Sequence, residues 1–223
     1  FGINTTGLTP HRGIPMLTRI AEMCHERGII FSTRVSIDGV GDMHNQVRNV
    51  KRGFDRASQT IAAMRELQKR IPFNFGISTT IFSMNLDDAE NILQWARREG
   101  LDIVFNMVRF TEPMLGNAKL AETCRPIGPE EERMRQFFLD RVRTDPLLDG
   151  QNYIYMHYAD MIANGYHRQA PCPFQSQGIM LNPNGDLFFC ENSDVVGNVL
   201  QRSAEEIYFD AASQQHRESI RND

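Results

Sequence analysis

The chain is 223 residues long, 41% hydrophobic and 23% charged, with a formal net charge of −4; this is enough for one large domain, or a domain and a small appendage, whose core needs no staple. The charge balance leaves no long basic stripe to recruit nucleic acid, so any such role would rest on a local patch. Neither a run of about 18 apolar residues nor a charged-then-apolar leader is visible, so no membrane span or signal peptide is read and the cytoplasm is the default location.

The first two thirds alternate strand and helix patterns. FGINTT is a short strand bounded by Gly7 and Pro10, and PMLTRIAEMCHERG sets Leu17, Ile20, Ala21 and Cys24 at helical spacing before Gly28 stops it. IIFSTRVSID is β-branched and closed by Gly39, and FDRASQTIAAMRELQKR is an amphipathic helix ending before Pro72. Between them, GVGDMHNQVRNVKRG reads as a loop longer than the usual few residues. FNFGISTTIF is a third strand, DDAENILQWARREG a helix with an acidic first turn and a Gly stop, and DIVFNMVRF a fourth strand. Such units, repeating at roughly 30 to 45 residues, predict parallel strands with right-handed crossovers in an open sheet or a barrel, with function on the loops that follow the strands.

PEEERMRQFFLDRVR is a further helix, opened by Pro and Glu as the helix dipole favours. Beyond about Asp145 the alternation ends. YIYMHYADMIANGYHRQ carries apolar and aromatic residues without a clean period, and Pro171 opens a different kind of unit. The chain begins on FGINTTG with no initiator Met and ends on QQHRESIRND, which suggests a piece of a longer protein.

GIMLNP and DLFFC alternate as antiparallel strands around Asn182-Pro183-Asn184-Gly185, strong turn chemistry, and Cys172 and Cys190 bracket this hairpin. A two-stranded hairpin alone is marginal, so something must hold it. The four cysteines are too sparse for the framework of a small secreted domain. By spacing alone the pair at the hairpin is either two small buried hydrophobes or two ligands of a metal centre completed elsewhere.

Cys172, twelve residues, Gly185, four residues and Cys190, followed by GNVLQRSAEEIYFD, resembles the start of the SPASM or twitch extension of radical S-adenosylmethionine (SAM) enzymes. NTTGL is similar to that family's third-strand Thr-Asn-Gly turn, with Thr6 where Asn is usual. RVSIDGVGDMHNQVR resembles the fourth-strand Ser-hydrophobic-Asp-Gly segment with its downstream His and Arg, and TTIFSMN the fifth strand with its trailing Asn. The resemblance covers nearly the whole chain in the family's order. The family's Cys-x3-Cys-x2-Cys loop and Gly-Gly-Glu segment, which belong upstream of the third strand, do not occur in the sequence.

The resemblance implies an α/β fold: a partial parallel (β/α) barrel of the radical SAM type over residues 1–145, a helical linker over 146–170, and a small β-hairpin plus helix auxiliary-cluster domain over 171–223. It implies a four-iron four-sulfur (4Fe-4S) cluster that splits SAM to methionine and a 5'-deoxyadenosyl radical, which abstracts hydrogen from a substrate. That substrate would be a peptide or protein to be modified, or a small molecule in biosynthesis, and the reductant a flavodoxin or ferredoxin. An auxiliary 4Fe-4S cluster would be held by Cys172 and Cys190. The other readings are a catalytically degenerate barrel acting as a substrate-binding scaffold, and an iron-independent β/α hydrolase or aldolase.

The resemblance also places Thr6 in the third-strand turn near SAM, Ser36 on the ribose hydroxyls and Arg48 on the carboxylate of SAM, with Thr80 and Asn85 near the adenosyl group. A hydroxyl suits a diol and a guanidinium fork suits a carboxylate. Each has a plainer alternative: Ser36 bonding its own turn, Arg48 solvated at the surface, Thr80 packing in its strand, and Asn85 capping the helix that follows. Asp38 is expected to shape its loop. Cys24 lies on an apolar helix face with the core, Cys124 in a loop, and His44 and His157 lack partners at zinc-ligand spacing. Arg109 and Glu112 follow the fourth strand and could face a substrate, which the sequence alone does not show.

Overall fold

The computed structural model describes residues 1–112, 115–145, 150–167, 178–190 and 193–221, with the backbone alone for 220 and 221. β-branched and aromatic stretches supply β1 (Gly2–Thr5), β2 (Ser32–Ser36), β3 (Asn74–Ile81) and β4 (Asp102–Met107), which pair in parallel in the order β1-β2-β3-β4. The crossovers are α1 (Pro10–Glu26), α3 (Gly53–Gln68) and α4 (Ala89–Arg98). A short helix, α2 (Asp42–Val47), stands where the sequence predicts only loop. Its six residues are too few to show a hydrophobic period, and a buried contact of His44 holds them instead. α1 begins at Pro10 rather than near Pro15, because the fixed φ of proline suits the first helical position and Pro15 removes only one bond further in.

Chain contacts divide the protein into two units, Phe1–Val108 with Pro126–Met134, and Arg109–Arg125 with Arg135–Asp223. In the first, the sheet is two-faced. Val35, Ile37, Phe75, Ile77, Ile81, Phe105 and Met107 are buried on the side where α3 and α4 pack. α1 packs against α3 and contributes Leu17, Ala21 and Cys24 to the core. Burial of that apolar stripe is the main term stabilising helices whose isolated propensity would be marginal. Strand alternation puts Asn4, Arg34, Ser36, Ser78, Thr80 and Asn106 on the other face.

The β1–α1 turn brings backbone against helix. Gly7 has φ +67°, and a Cβ there would lie 3.0 Å from Val35 Cγ1 and 3.1 Å from Ala57 Cα. Thr60 Oγ1 on α3 donates to the Gly7 carbonyl at 3.0 Å. The glycine of the turn thus serves both its left-handed backbone and the close seating of α3.

The second unit contains α5 (Ala121–Cys124), most of α6 (Pro129–Thr144), α7 (Gln151–Ala163), the antiparallel strands β5 (Met180–Leu181), β6 (Asp186–Phe188) and β7 (Gly197–Asn198), and α8 (Ala204–Phe209) and α9 (Ala211–Arg221). α7 falls where the sequence shows no clean period. Its buried Gln151, Tyr155, Ala159 and Ile162 follow helical spacing, but exposed Tyr153 and Met156 mask it. Phe138 packs its ring 5.6 Å from Tyr155 and 5.1 Å from Tyr158.

The hairpin is held by a third strand and a helix. Asn182 Oδ1 accepts the N–H groups of Asn184 and Asp186, both at 2.9 Å, closing the turn. The Asn198 amide donates across to Asp186 Oδ1 at 2.8 Å, and hydrogen bonds from Asn198 and Asn182 hold the half-buried Asp186 carboxyl below its ordinary pKa. Ile207 of α8 is fully buried against Gly197, and Ser203 and Glu206 form a capping box at the start of α8.

Gly7→Ala should destabilise the protein by about 1–3 kcal/mol through backbone strain and the crowding of α3. Urea unfolding checks this, and a change below a few tenths of a kcal/mol would contradict the argument.

Candidate functional site

The loops after β2 and β3 converge on Asp38. Its carboxylate meets Arg48 Nη2 at 2.6 Å and accepts the Thr80 N–H at 3.0 Å. Its backbone N–H donates to His44 Nδ1 at 3.1 Å, and its carbonyl accepts from Asn85 Nδ2 at 3.1 Å. One residue therefore joins β2, α2, β3 and the turn ahead of α4. Gly39 admits α2, because a Cβ there would sit 2.6 Å from the His44 N. Burial pushes the Asp38 carboxyl above its usual pKa, against the opposing pull of the Arg48 guanidinium and the Thr80 N–H. The Asp38 side chain is 6% exposed and that of Arg48 26%, so the pair is buried mainly on its acid side.

His44 is wholly buried, with its ring edge-on to Phe54. Burial first, then the Arg48 charge, lowers its pKa to about 4, so it is neutral at pH 7. Because Nδ1 accepts from the Asp38 N–H, the proton sits on Nε2, which is buried without a hydrogen-bond partner among the described residues.

The sequence-predicted residues separate here. Ser36 ends β2 half-buried on the polar face, and its hydroxyl makes no hydrogen bond among the described residues. Thr80 stands on the same face, two register pairs further along β3 than Ser78, the partner of Ser36. Thr6 is exposed after β1, and its hydroxyl accepts the Leu8 N–H at 3.5 Å. Arg48 is engaged by Asp38. Asn85 is fully buried; its amide donates to Asp38 O and to Thr80 O, and its oxygen accepts the Phe82 N–H at 2.9 Å. It is a brace between two loops.

Cys190 belongs to the second unit, with a free thiol and a backbone N–H donated to Ser193 Oγ at 3.2 Å. Cys172 lies outside the described residues. Among the described residues, no three His, Cys, Asp or Glu side chains converge as metal ligands, and no helix is long and apolar enough to cross a membrane. Cys24 is buried in the core, and His157 stacks on Tyr153.

Sequence reasoning passed over Arg34, Asn4, Ser78 and Asn106 on the polar face. A signal was available: a parallel strand covered on both sides reads as a continuous apolar run, whereas STRVS alternates polar and buried positions. The alternation marks a face built for something other than a second layer of apolar side chains.

No family model matches the sequence, and no curated protein sequence does. Solved structures do share its fold. Native anSMEcpe with bound AdoMet aligns with a TM-score of 0.59 at 13% identity, covering 98% of this chain and 59% of that one. Native anSMEcpe with bound AdoMet and Kp18Cys peptide aligns at 0.57 and 12% identity, with the same coverages. The chain thus spans less than two thirds of the proteins it resembles, and the likeness at this identity is one of fold alone.

Asp38→Asn should cost about 1–3 kcal/mol, since Arg48 loses its counter-charge while the Thr80 N–H keeps an acceptor; chemical denaturation measures it. His44 gives a pH dependence with a definite sign. Between pH about 6.5 and about 4 the unfolded chain takes up a proton that folded His44 refuses, so stability falls as pH falls through that window, by up to about 3 kcal/mol. His44→Asn, which keeps an acceptor for the Asp38 N–H, should remove this component from the difference in urea midpoints between pH 7 and pH 4.5. An unchanged pH slope in that variant would place the titration elsewhere.

Proposed function

We propose that the chain is part of a radical SAM enzyme that modifies a peptide or protein, or failing that a small molecule in biosynthesis. The observation that carries this reading is the fold shared over 98% of the chain with an AdoMet-bound enzyme, with the Ser36-Ile37-Asp38-Gly39 segment at the carboxy-terminal end of a parallel strand. Ligands of parallel α/β sheets gather at that end. The peptide in one of the similar structures favours a peptide substrate here. On this reading residues 1–145 form the partial barrel, 146–170 a linker, and 171–223 the SPASM or twitch domain.

The residues present suit SAM in part. Ser36 and Thr80 offer hydroxyls on one polar face, fitting a ribose and an adenosyl group. Thr6 lies exposed at the adjoining strand end. Arg48 would hold the carboxylate of SAM only by sharing its guanidinium with Asp38. Asn85 acts through the loops it braces. When bound, SAM with a reduced 4Fe-4S cluster supplies the hydrogen-abstracting chemistry; the chain's residues bind, orient and exclude water. Cys190, with Cys172, is proposed to ligate an auxiliary 4Fe-4S cluster, a flavodoxin or ferredoxin to act as reductant, and the cytoplasm to be the site of action.

The full-length protein, encoded with a Cys-x3-Cys-x2-Cys loop ahead of Phe1, should after anaerobic reconstitution release 5'-deoxyadenosine from SAM when reduced. Ser36→Ala should raise the Kd for SAM by about five- to thirtyfold, the loss of one or two kcal/mol. A complete gene without that loop, or cluster-loaded protein that leaves SAM intact, would overturn the reading.

A further inference from the structure

The contact between Asp38 and Arg48 is unequal. Arg48 Nη2 lies 2.6 Å from one carboxylate oxygen of Asp38 and the Thr80 N–H donates to the other at 3.0 Å, which leaves the Asp38 side chain 6% exposed and that of Arg48 26%. Arg48 is thus the member of the pair that an anion from solvent can reach. Among the described residues it is also the one charge that acts on the Asp38 carboxyl. A buried carboxylate that loses its counter-charge neutralises by taking up a proton rather than staying charged in a dry site. Asp38 is already inclined that way, because burial outweighs the pull of Arg48 and of the Thr80 N–H and holds its carboxyl above the usual range.

We propose that SAM binding is coupled to proton uptake, the proton passing from solvent to the Asp38 carboxyl as the carboxylate of SAM takes over the Arg48 guanidinium. The coupling rests on the reading of Arg48 as the residue that meets that carboxylate. Charge balances: one guanidinium faces one carboxylate before and after, and the displaced acid is neutral. The loops keep their relation, because a protonated Asp38 still accepts the Thr80 N–H, and its backbone contacts to His44 Nδ1 and Asn85 Nδ2 are untouched. No other group around Asp38 replaces Arg48. From α2, His44 faces the backbone of Asp38 and stays neutral down to about pH 4. From β3 comes Thr80, which does not titrate. The turn ahead of α4 brings Asn85 and, two residues further along the β2 loop, Asp88, whose carboxylate accepts the Val40 N–H at 2.9 Å and the Asn91 amide at 2.9 Å. The sign follows from linkage: a complex that holds more protons than its free components tightens as pH falls.

Anaerobic titration calorimetry of the full-length, cluster-loaded protein with SAM tests this, in buffers of different ionisation enthalpy, since the slope of heat against that enthalpy counts protons. The window is pH about 5.5 to about 6.5, where the amino group of free SAM is protonated and His44 is neutral. Asp38→Asn, which keeps an acceptor for the Thr80 N–H, should take up about half to one proton fewer than the parent, and the parent's Kd for SAM should change about three- to tenfold more per pH unit than the variant's. His44→Asn should keep the parent's uptake. Decarboxylated SAM, which leaves Arg48 to Asp38, should bind the parent protein with about half to one proton fewer than SAM does, a comparison that needs no variant to fold. Equal proton counts in the parent and Asp38→Asn, or for the two ligands, overturn the coupling while SAM binding stands. Uptake lost in His44→Asn overturns its assignment to Asp38. Loaded protein that does not bind SAM at all overturns the reading beneath, and the coupling with it.

Discussion

The buried contact between Asp38 and Arg48 is the constraint on which the site end of the sheet depends. A carboxylate taken out of water needs both a counter-charge and directed donors; Arg48 supplies the first, and the Thr80 N–H lies 3.0 Å away as the second. The same residue uses its backbone on His44 and Asn85. Four chain segments are thereby referred to one residue. The strand ends and the loops between them hold a fixed relation that packing of the sheet's apolar face could not impose alone.

That apolar face is ordinary core: Val35, Ile77, Ile81 and Phe105 under α3 and α4. The opposite face is the unusual one. Parallel sheets seldom leave a polar surface, and this one aligns hydroxyls, amides and an arginine across successive strands.

The second unit answers how a short hairpin is held. Asn182 and Asn198 clasp Asp186, Ile207 seals the back of β7, and Arg217 stacks over Phe189 and Tyr208, with centroid distances of 5.1 and 4.1 Å. These contacts hold β5, β6 and β7 together. Cys190 is consequently presented from a formed scaffold, with its backbone tied to Ser193 and its thiol free.

Strands, crossover helices and parallel pairing of the first unit were legible in the sequence, because hydrophobic period, glycine stops and proline act locally. So was the hairpin turn, since Asn182 and Gly185 carry their geometry within a few residues. α2 and α7 were not, for short or partly exposed helices show their period only when their buried side is known. The resemblance of RVSIDGVGDMHNQVR singled out Ser36, Asp38, His44 and Arg48 together, but not that Arg48 turns to Asp38, that His44 is buried and neutral, or that Asn85 braces two loops. Burial and pairing are properties of neighbours that the chain brings together only on folding.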